Sequence, residues 1–388
     1  MNLYRVAVRP MLFRCDAEWS HRATMAFCRT LSRSNAVLKG LERRFAVRDG
    51  RLATTVAGLK FDSPVGLAAG CDKNGVAVDV MSRLGFGFVE IGSVSEQPSS
   101  GNSVRPRLWR LPVDEGLRVY YGCPSDGAAV VAARLRESRP RVPLGINLVE
   151  TNTGQVVTAE QAADELALAI TRFAGLANYI VLNLACPNMP HGRGGLFDAP
   201  EKLDYLLQCI RRNAPLPPLF LKLTPPGDAE DPRVIDPILR TVDAYDFVKG
   251  FILNIPNPDP HGTLCTPAAV LDRMCGGITG PSLRRPTNAA IAAWYRRIDR
   301  ERHVLIGTGG IGSAEDAYET IRLGASLVQL YTALVYRGPG LIRRINAGLS
   351  RLLERDGFRN IGEAVGGANP VSPARHFSNR ATSSTCAE

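Results

Sequence analysis

The sequence has little of what marks a membrane-spanning, disulfide-bonded or metal-bound protein. No apolar run approaches the roughly 18 residues that a membrane-spanning helix needs, and no signal peptide with a hydrophobic core opens the chain. The nine cysteines are scattered without a C-x-x-C pair, so neither a disulfide framework nor a zinc or iron–sulfur site is indicated. With 388 residues, of which 45% are hydrophobic and 22% charged, the chain can bury a large core as one barrel-sized domain or two ordinary ones.

Positive charge is concentrated near the N-terminus. The whole chain carries a net charge of +10, and residues 1–44 hold nine Arg or Lys residues against three acidic ones. Such an excess suits an anionic ligand, a nucleic acid or an acidic membrane surface. The pattern predicts two short helices here, the second capped by Asp16. One face of the second helix is apolar and contains Trp19, Ala23, Phe27 and Leu31. Two interpretations of the helix pair are open: it lies in a membrane interface, or it packs on its own domain. The sequence pattern alone allows both.

From residue 65 onward, strand-like runs alternate with helical patterns eight times. The strand candidates are residues 65–70, 88–94, 144–149, 179–185, 219–224, 250–255, 304–309 and 327–334. Helical patterns follow near residues 76–84, 127–138, 159–175, 199–213, 232–244, 286–299, 313–323 and 339–354. Eight such units over about 250 residues indicate an α/β fold, a (β/α)8 or TIM barrel.

Several segments fall outside the repeating units. Residues 45–62 are predicted to form a small hairpin that leads into the barrel. Insertions at residues 95–126 and 257–285 are rich in Pro and Gly and follow strands, so we expect them to lie over the carboxyl ends of the strands as lids. The C-terminal stretch, rich in Ser, Ala and Thr, is predicted to be disordered. The expected organisation is a helical segment, a barrel domain and a tail, at residues 1–44, 45–368 and 369–388.

The stretch at residues 179–188 joins an apolar strand to reactive side chains. Its first four residues suit a strand that is covered on both faces, and Pro187 ends the ladder because proline has no N–H to donate. Asn183, Cys186 and Asn188 follow at the carboxyl end of the strand, where α/β barrels carry their active sites. The alternative interpretation is a buried Cys beside two turn-forming Asn residues.

Polar residues and glycines also follow the other strands. These candidates are Ala69, Gly70, Lys73, Ser93, Asn147, Lys222 and Asn254. Lys222 stands between two leucines, which indicates a buried or ligand-paired ammonium that could stabilise a flavin ring carrying negative charge when reduced.

Glycine turns near the last two strands are typical of a phosphate site. Gly307–Ile311 follows the seventh strand, Tyr331 and Thr332 follow the eighth, and a further turn occupies residues 276–280. Backbone N–H groups in such turns can approach a phosphate, and barrels commonly bind phosphate at this place. We therefore expect a phosphate-bearing cofactor rather than plain turn chemistry.

Seven segments together resemble one family. They are residues 66–75, 85–94, 106–108, 144–147, 183–188, 307–311 and 324–331. The chain is similar in these segments to the flavin-dependent dihydroorotate dehydrogenases, and the resemblance runs from about residue 1 to 368. Residues 11–16 and 20–23 resemble the membrane-associated, quinone-reducing branch, in which a helical pair forms the quinone entrance.

The resemblance implies an FMN site, a substrate site and a membrane surface. The implied FMN contacts are Ala69, Gly70, Lys73, Ser93, Asn147, Asn183, Lys222, Asn254, Gly280, Gly309, Gly310, Tyr331 and Thr332. The implied substrate contacts are Lys73, Asn183 and Asn188, with Cys186 as the proton-transfer base. The resemblance further implies a small carbonyl or pyrimidine-like substrate, a quinone acceptor and peripheral attachment to the cytoplasmic face of a membrane through residues 1–44.

The sequence departs from the family pattern at three places. Cys186 stands where the quinone branch uses a serine, although a thiol can take the proton while a flavin takes the hydride. Residues 119–125, Val-Tyr-Tyr-Gly-Cys-Pro-Ser, replace the family's Asn-Arg-Met-Gly-Phe-Asn-Asn, and Asn254-Ile-Pro256 replaces Thr-Asn-Thr. The cofactor half keeps the pattern and the substrate half loses amides, which favours a substrate other than dihydroorotate or poor handling of dihydroorotate.

Other functions stay open at this point. One is a paralogue that oxidises or reduces a different unsaturated carbonyl or dihydropyrimidine compound. Another is a dihydrouridine synthase-like FMN barrel acting on RNA, and a third is a flavin-binding protein without catalysis. No nucleic acid partner is expected, because the charge is concentrated in the N-terminal helices and no RNA-binding module follows the barrel.

Overall fold

A computed structural model describes residues 3–184, 186–190, 195–224, 229–253, 255–257 and 259–369. Its strands, in chain order, are β1 (Thr54–Val56), β2 (Leu59–Phe61), β3 (Val65–Leu67), β4 (Phe88–Val94), β5 (Leu108–Leu111), β6 (Gly116–Val119), β7 (Leu144–Leu148), β8 (Tyr179–Asn183), β9 (Leu219–Leu223), β10 (Val248–Leu253), β11 (Gly277–Thr279), β12 (Val304–Thr308) and β13 (Ala325–Leu330). Within these described residues, eight parallel strands close into a barrel in the order β3-β4-β7-β8-β9-β10-β12-β13. The predicted (β/α)8 barrel is confirmed.

Helices follow the barrel strands and occupy both ends of the described part of the chain. They are α1 (Arg9–Arg14), α2 (Ala17–Leu31), α3 (Asn35–Phe45), α4 (Val78–Met81), α5 (Ala128–Glu137), α6 (Ala159–Arg172), α7 (Pro200–Arg211), α8 (Pro232–Val242), α9 (Pro260–Thr263), α10 (Ala268–Leu271), α11 (Arg284–Tyr295), α12 (Ala314–Arg322), α13 (Thr332–Arg337), α14 (Leu341–Asp356) and α15 (Ile361–Ala364). The start of helix α6 is determined by a capping box, in which the side chains of Thr158 and Gln161 bond to each other's backbone N–H groups.

Aromatic side chains fill the amino end of the barrel. Phe88, Tyr179 and Phe220 are buried there, and neighbouring rings meet edge to face with centroids 5.5–6.4 Å apart. The predicted hairpin, formed by β1 and β2, closes this end, and its Phe61 packs on Phe88 at 5.4 Å. The hydrophobic packing leaves the carboxyl end of the strands as the open mouth of the barrel.

The two insertions pair with each other over that mouth. Strands β5 and β6 come from the first insertion, β11 comes from the second, and the three form an antiparallel sheet in the order β11-β6-β5. We call this sheet the lid sheet. The sequence predicted two lids, whereas the backbone hydrogen bonds join them into one element.

The N-terminal segment contains one helix more than the sequence predicted. Asp16 caps α2 by accepting from Trp19 N at 2.8 Å, as expected. The chain then breaks, and Ser34 caps a separate helix, α3, by accepting from Val37 N. The expectation of two helices was wrong because this second capping serine was overlooked. Helix α2 packs through Glu18, Ser20 and its other buried residues, and leaves its aromatic face outward.

Some predicted boundaries also differ from those observed. The eighth strand was predicted to reach Leu334, but β13 ends at Leu330 and Thr332 begins α13. The first barrel helix is a single turn, α4, rather than residues 76–84. Asn254 and nearly all of the predicted tail, from residue 370, lie outside the described residues.

Candidate active site at the mouth of the barrel

A chain of hydrogen bonds connects polar side chains on neighbouring barrel strands. Asn183 Nδ2 donates to Ser93 Oγ at 2.8 Å, and Ser93 Oγ donates to Asn147 Oδ1 at 2.5 Å. Asn147 Nδ2 then donates to Glu90 Oε1 at 2.8 Å, while Gln329 Nε2 donates to the other oxygen of Glu90 at 2.5 Å. Three of the residues predicted from the strand ends are therefore held in fixed orientations by one network.

Glu90 anchors this network from inside the barrel. Burial raises the pKa of its carboxyl group, while the nearby charge of Lys222 and the hydrogen bonds from Gln329 and Asn147 act in the opposite direction. Lys222 is half-buried at the end of β9, and its backbone lies opposite Asn183 in the strand ladder. Lys222 therefore brings a positive charge to the same mouth, although it is less buried than the sequence suggested.

The predicted phosphate cradle lies beside the last two strands. Gly309 and Gly310 have φ angles of 117° and 74°, and a Cβ at Gly310 would come within 2.6 Å of the Arg284 backbone nitrogen. Thr332 Oγ1 lies 2.9 Å from Thr279 Oγ1. The shielded Oγ of Ser282 has no hydrogen-bond partner among the described residues. A glycine turn that no side chain can fill, beside a buried hydroxyl without a partner, fits the phosphate of FMN.

The loop after β3 brings a cation to the mouth. Its Gly70 N donates to Gly92 O at 2.7 Å, which holds the loop, with the half-buried Ala69, against β4. Lys73 Nζ donates to Gly70 O at 2.9 Å and lies 4.2 Å from the centre of the Tyr121 ring. Burial lowers the pKa of Lys73. Tyr121 thus packs beneath a cation rather than standing free to stack on a ligand.

Helix α2 reaches the barrel mouth next to Lys73. His21 Nδ1 lies 3.3 Å from the hydroxyl of Tyr331, which follows β13. Burial, together with the charge of Lys73, lowers the pKa of His21 to about 3, so the imidazole is neutral at ordinary pH. The N-terminal segment therefore contributes a side chain to the same region as the predicted cofactor contacts.

Cys186, after β8, lies beside a second cysteine. Its Sγ is 3.3 Å from Sγ of Cys123, which follows β6 in the lid sheet. The hydrogen bond between the two thiols lowers the pKa of Cys186, and the charge of Lys222 acts in the same direction against burial. The same bond raises the pKa of Cys123 well above its ordinary value. Cys186 is thus the thiol of the pair that ionises more readily.

A cavity of about 190 Å³ lies between Cys186 and the lid sheet. Asn188 lines it, donates through Nδ2 to Val119 O at 3.0 Å, and leaves its buried Oδ1 without a partner among the described residues. Arg118 also lines the cavity, and its buried Nε likewise lacks a partner within the described part of the chain. Asn257 also lines the cavity, and its Nδ2 donates to Thr263 Oγ1 at 2.8 Å.

The structure brings most of the predicted site residues to one mouth, with Asn254 outside the described residues. The sequence reasoning missed Glu90, Gln329, Arg118, Cys123 and His21. A charged residue within the apolar strand β4 was an available signal for Glu90, because a buried carboxyl needs partners. His21 lay in a segment that was noticed for its positive charge, its amphipathic pattern and its resemblance, none of which indicates that this side chain reaches the barrel mouth. Cys123 lies in the segment 119–125 that departs from the family pattern, but nothing in that segment indicates that it meets Cys186, and Arg118 carried no local signal.

The closed parallel barrel, the glycine turn beside its last two strands and the thiol at a cavity are features of a (β/α)8-barrel enzyme, and the comparisons identify it as an oxidoreductase. Residues 51–353 match the family described as Dihydroorotate dehydrogenase. The chain is 38% identical to a protein of Deinococcus deserti and 37% identical to one of Roseiflexus sp., both called dihydroorotate dehydrogenase (quinone). Each alignment covers 94% of this chain, and 99% and 98% of the two relatives.

A solved structure has the same fold. The crystal structure of the Eimeria tenella enzyme abbreviated DHODH, in complex with ferulenol, superposes with a TM-score of 0.75 at 26% identity. The superposition covers 91% of this chain and 95% of the Eimeria tenella chain. The chain belongs to the dihydroorotate dehydrogenase family, whose members are oxidoreductases that act on CH–CH bonds.

Proposed function

We propose that this protein oxidises dihydroorotate to orotate, with FMN as its cofactor and a quinone as electron acceptor. The observation that carries the proposal is the position of Cys186, whose sulfur lies at the carboxyl end of β8 on the wall of the cavity. The names of the relatives favour dihydroorotate over the related compounds that the sequence left open. Because no RNA-binding module is evident, an RNA substrate has no comparable support.

Cys186 serves as the base. Oxidation of a C–C bond beside a carbonyl removes one proton and one hydride from adjacent carbons. The Cys186 thiolate takes the proton, and the S–H of Cys123 together with the charge of Lys222 stabilises the thiolate beforehand. Cys186 then releases that proton to solvent, which returns the site to its starting state.

Bound FMN would supply the hydride acceptor for this oxidation and the route by which electrons reach a quinone. Gly280, Gly309, Gly310 and Thr332 would hold its phosphate, and the network of Ser93, Asn147 and Asn183 would orient the ring. Ala69, Gly70 and Tyr331 would complete the cofactor contacts. Lys222 would place its charge where a reduced flavin ring carries negative charge, and Lys73 would contact both cofactor and substrate.

Arg118 and Asn188 would bind the substrate. Dihydroorotate carries a carboxylate and several carbonyl and N–H groups, and the buried unpartnered Nε of Arg118 and Oδ1 of Asn188 are a donor and an acceptor on the cavity wall. A charged donor on β6 compensates for the amides that the neighbouring segment lacks. Asn183 would contribute a further contact from the end of β8.

The N-terminal helices would bind a membrane surface and admit the quinone. Trp19 and Phe27 are 52% and 62% exposed on the outer face of α2, with arginines nearby in the sequence, which suits an acidic lipid interface. His21 on the inner face of the same helix meets Tyr331 at the barrel mouth. Within the described residues no helix has the length and apolar character to cross a membrane. The proposed attachment, through the exposed aromatics and arginines of residues 1–44, is peripheral and on the cytoplasmic face.

The test follows the flavin spectrum of the purified protein without oxygen. L-Dihydroorotate should bleach the flavin absorbance, and a soluble short-chain quinone should restore it. Cys186→Ala should bind flavin but bleach slowly, whereas the matched Cys→Ala change at the exposed Cys265 should bleach at the wild-type rate. A protein that binds no FMN, or whose flavin dihydroorotate cannot reduce, would refute the proposal.

A further inference from the structure

Two departures from the family pattern meet in space. Cys123 belongs to the lid segment in which the family has phenylalanine, and Cys186 stands at the position of the base. Their sulfur atoms are 3.3 Å apart although 63 residues separate them. Both residues are half-buried, and Cys186 faces a cavity that a small molecule can enter. The second thiol lowers the pKa of the first, and it also permits a reaction that a single thiol cannot undergo.

The geometry suits a covalent bond between the two sulfurs. A disulfide holds its sulfurs about 2.05 Å apart, so a movement of roughly 1.3 Å, shared between two side chains, is enough. Cys123 has a φ of 52° and follows Gly122, whose φ is 64°, so the lid backbone makes a tight left-handed turn that presents this residue to β8. The lid sheet also brings β11 to the same place, so closure would tie both insertions to the barrel.

We propose that Cys123 and Cys186 are a site of reversible oxidation, at which a peroxide-class oxidant converts the thiol pair into a disulfide that shuts the active site. The linkage itself depends only on the two thiols. The accompanying loss of turnover rests on the proposed function, because it assumes that Cys186 is the base.

The chemistry balances with hydrogen peroxide as the two-electron oxidant. The Cys186 thiolate attacks one peroxide oxygen, the O–O bond breaks, and Cys186 becomes a sulfenic acid while hydroxide leaves and takes up the thiol proton as water. The Cys123 sulfur then attacks the Cys186 sulfur, the S–O bond breaks, and a second water leaves with the Cys123 proton. Two thiols and one peroxide give one disulfide and two waters. A dithiol reductant reverses the change by thiol–disulfide exchange.

The order of events gives the experiment its control. Cys186 attacks first because it is the more readily ionised thiol and lines the cavity, and Cys123 resolves the sulfenic acid. Cys123→Ser should therefore stop the reaction at Cys186, where dimedone, which reacts with sulfenic acids, can trap it. Cys265→Ser removes an exposed thiol from the other insertion and should leave the disulfide unaffected.

The measurement is peptide mass spectrometry on the flavin-loaded protein, treated with one equivalent of hydrogen peroxide and then with N-ethylmaleimide. Wild type and Cys265→Ser should yield a Cys123–Cys186 linked peptide and lose two free thiols, and dithiothreitol should restore both thiols and turnover. Cys123→Ser should yield no linked peptide and a dimedone adduct on Cys186. Cys123→Ala provides a second variant, and the flavin spectrum shows that each variant is folded.

Peroxide treatment that leaves all thiols free, or that links other cysteines instead, would overturn the proposal. So would a linked peptide that dithiothreitol cannot open. A linked wild-type peptide together with full activity in Cys186→Ala would sustain the disulfide and refute the assignment of the base, so the two claims can fail separately.

Discussion

Replacing Cys186 by alanine isolates the proton-transfer step. The side chain lines the cavity, so truncation leaves the phosphate cradle and the Asn183–Ser93–Asn147 network in place, and flavin should be retained. A lost general base costs about 10²–10⁴ in rate, or roughly 3–5 kcal/mol of activation free energy. Cys123 lies close enough to act as a weak substitute, so we expect the single variant near the lower end of that range. The double variant with Cys123→Ala should fall further.

The assay is rapid mixing of oxidised enzyme with L-dihydroorotate in the absence of oxygen, followed at the flavin absorbance across a pH series. Cys186→Ser should regain reduction only at high pH, because a serine hydroxyl ionises with far more difficulty than a thiol. In Cys123→Ala the rise of the rate with pH should move to higher pH, since the bond that lowers the pKa of Cys186 is gone. Flavin reduction at the wild-type rate in Cys186→Ala would refute the role of this thiol.

Four further changes test other parts of the site. Lys222→Ala should weaken flavin binding or slow flavin reduction, which flavin release on dilution and rapid mixing would measure. Arg118→Met should raise KM for dihydroorotate by about 10–100-fold with little change in kcat, because a lost charged hydrogen bond costs roughly 1.5–3 kcal/mol of binding free energy. In the wild-type protein, a kcat/KM of about 10⁴ M⁻¹s⁻¹ or more would show that the absent amides have been replaced. A much lower wild-type value would favour another substrate. Trp19→Ser with Phe27→Ser should reduce sedimentation with acidic lipid vesicles and turnover of a long-chain quinone, whereas Leu168→Ser, which changes an exposed apolar residue on α6, should not. The pKa of His21 is about 3 in the folded protein and about 6.5 in the unfolded chain. The neutral imidazole therefore contributes its full share to the free energy of unfolding above pH 6.5, and this share falls as the pH drops towards 3. Urea titrations of the wild type should show a loss of stability of up to about 2 kcal/mol between pH 7 and pH 5 from this residue, and His21→Phe should lack that loss.

The repeating units were predictable because each carries its own local signal. Apolar runs such as Leu144–Leu148 are buried on both faces, and caps such as Thr158 begin the helices that follow, so period and composition agree. The strand-end residues Asn147, Asn183 and Cys186 could be assigned to one mouth because the carboxyl ends of parallel strands in a barrel must converge. Each of these inferences needs only neighbours in the sequence and one topological rule.

The remaining features depend on contacts between distant segments. Pairing of β6 with β11 joins residues more than 150 positions apart, and the turn residues around each strand say nothing about its partner. The contact between Cys123 and Cys186 likewise joins distant segments and has no signal in either one. Arg118 reaches the cavity wall only because of where the lid sheet lies. A lost amide is visible in the sequence, whereas the arrangement that brings Arg118 of the preceding strand to the cavity wall is not.

Glu18 attaches the N-terminal helices to the segment that leads into the lid sheet. Its carboxylate accepts hydrogen bonds from Arg107 at 2.5 Å and Arg105 at 3.0 Å, and Arg110 adds a bond to the backbone oxygen of Cys15 at 2.8 Å. Helix α2 is therefore fixed to the lid region by side-chain hydrogen bonds and is not joined to it by a flexible linker alone. Cys28 of the same helix packs in the main hydrophobic core and His21 meets Tyr331, so α2 contacts the barrel as well as the lid region. A surface that bound this helix would therefore hold the lid region and the barrel in one fixed orientation.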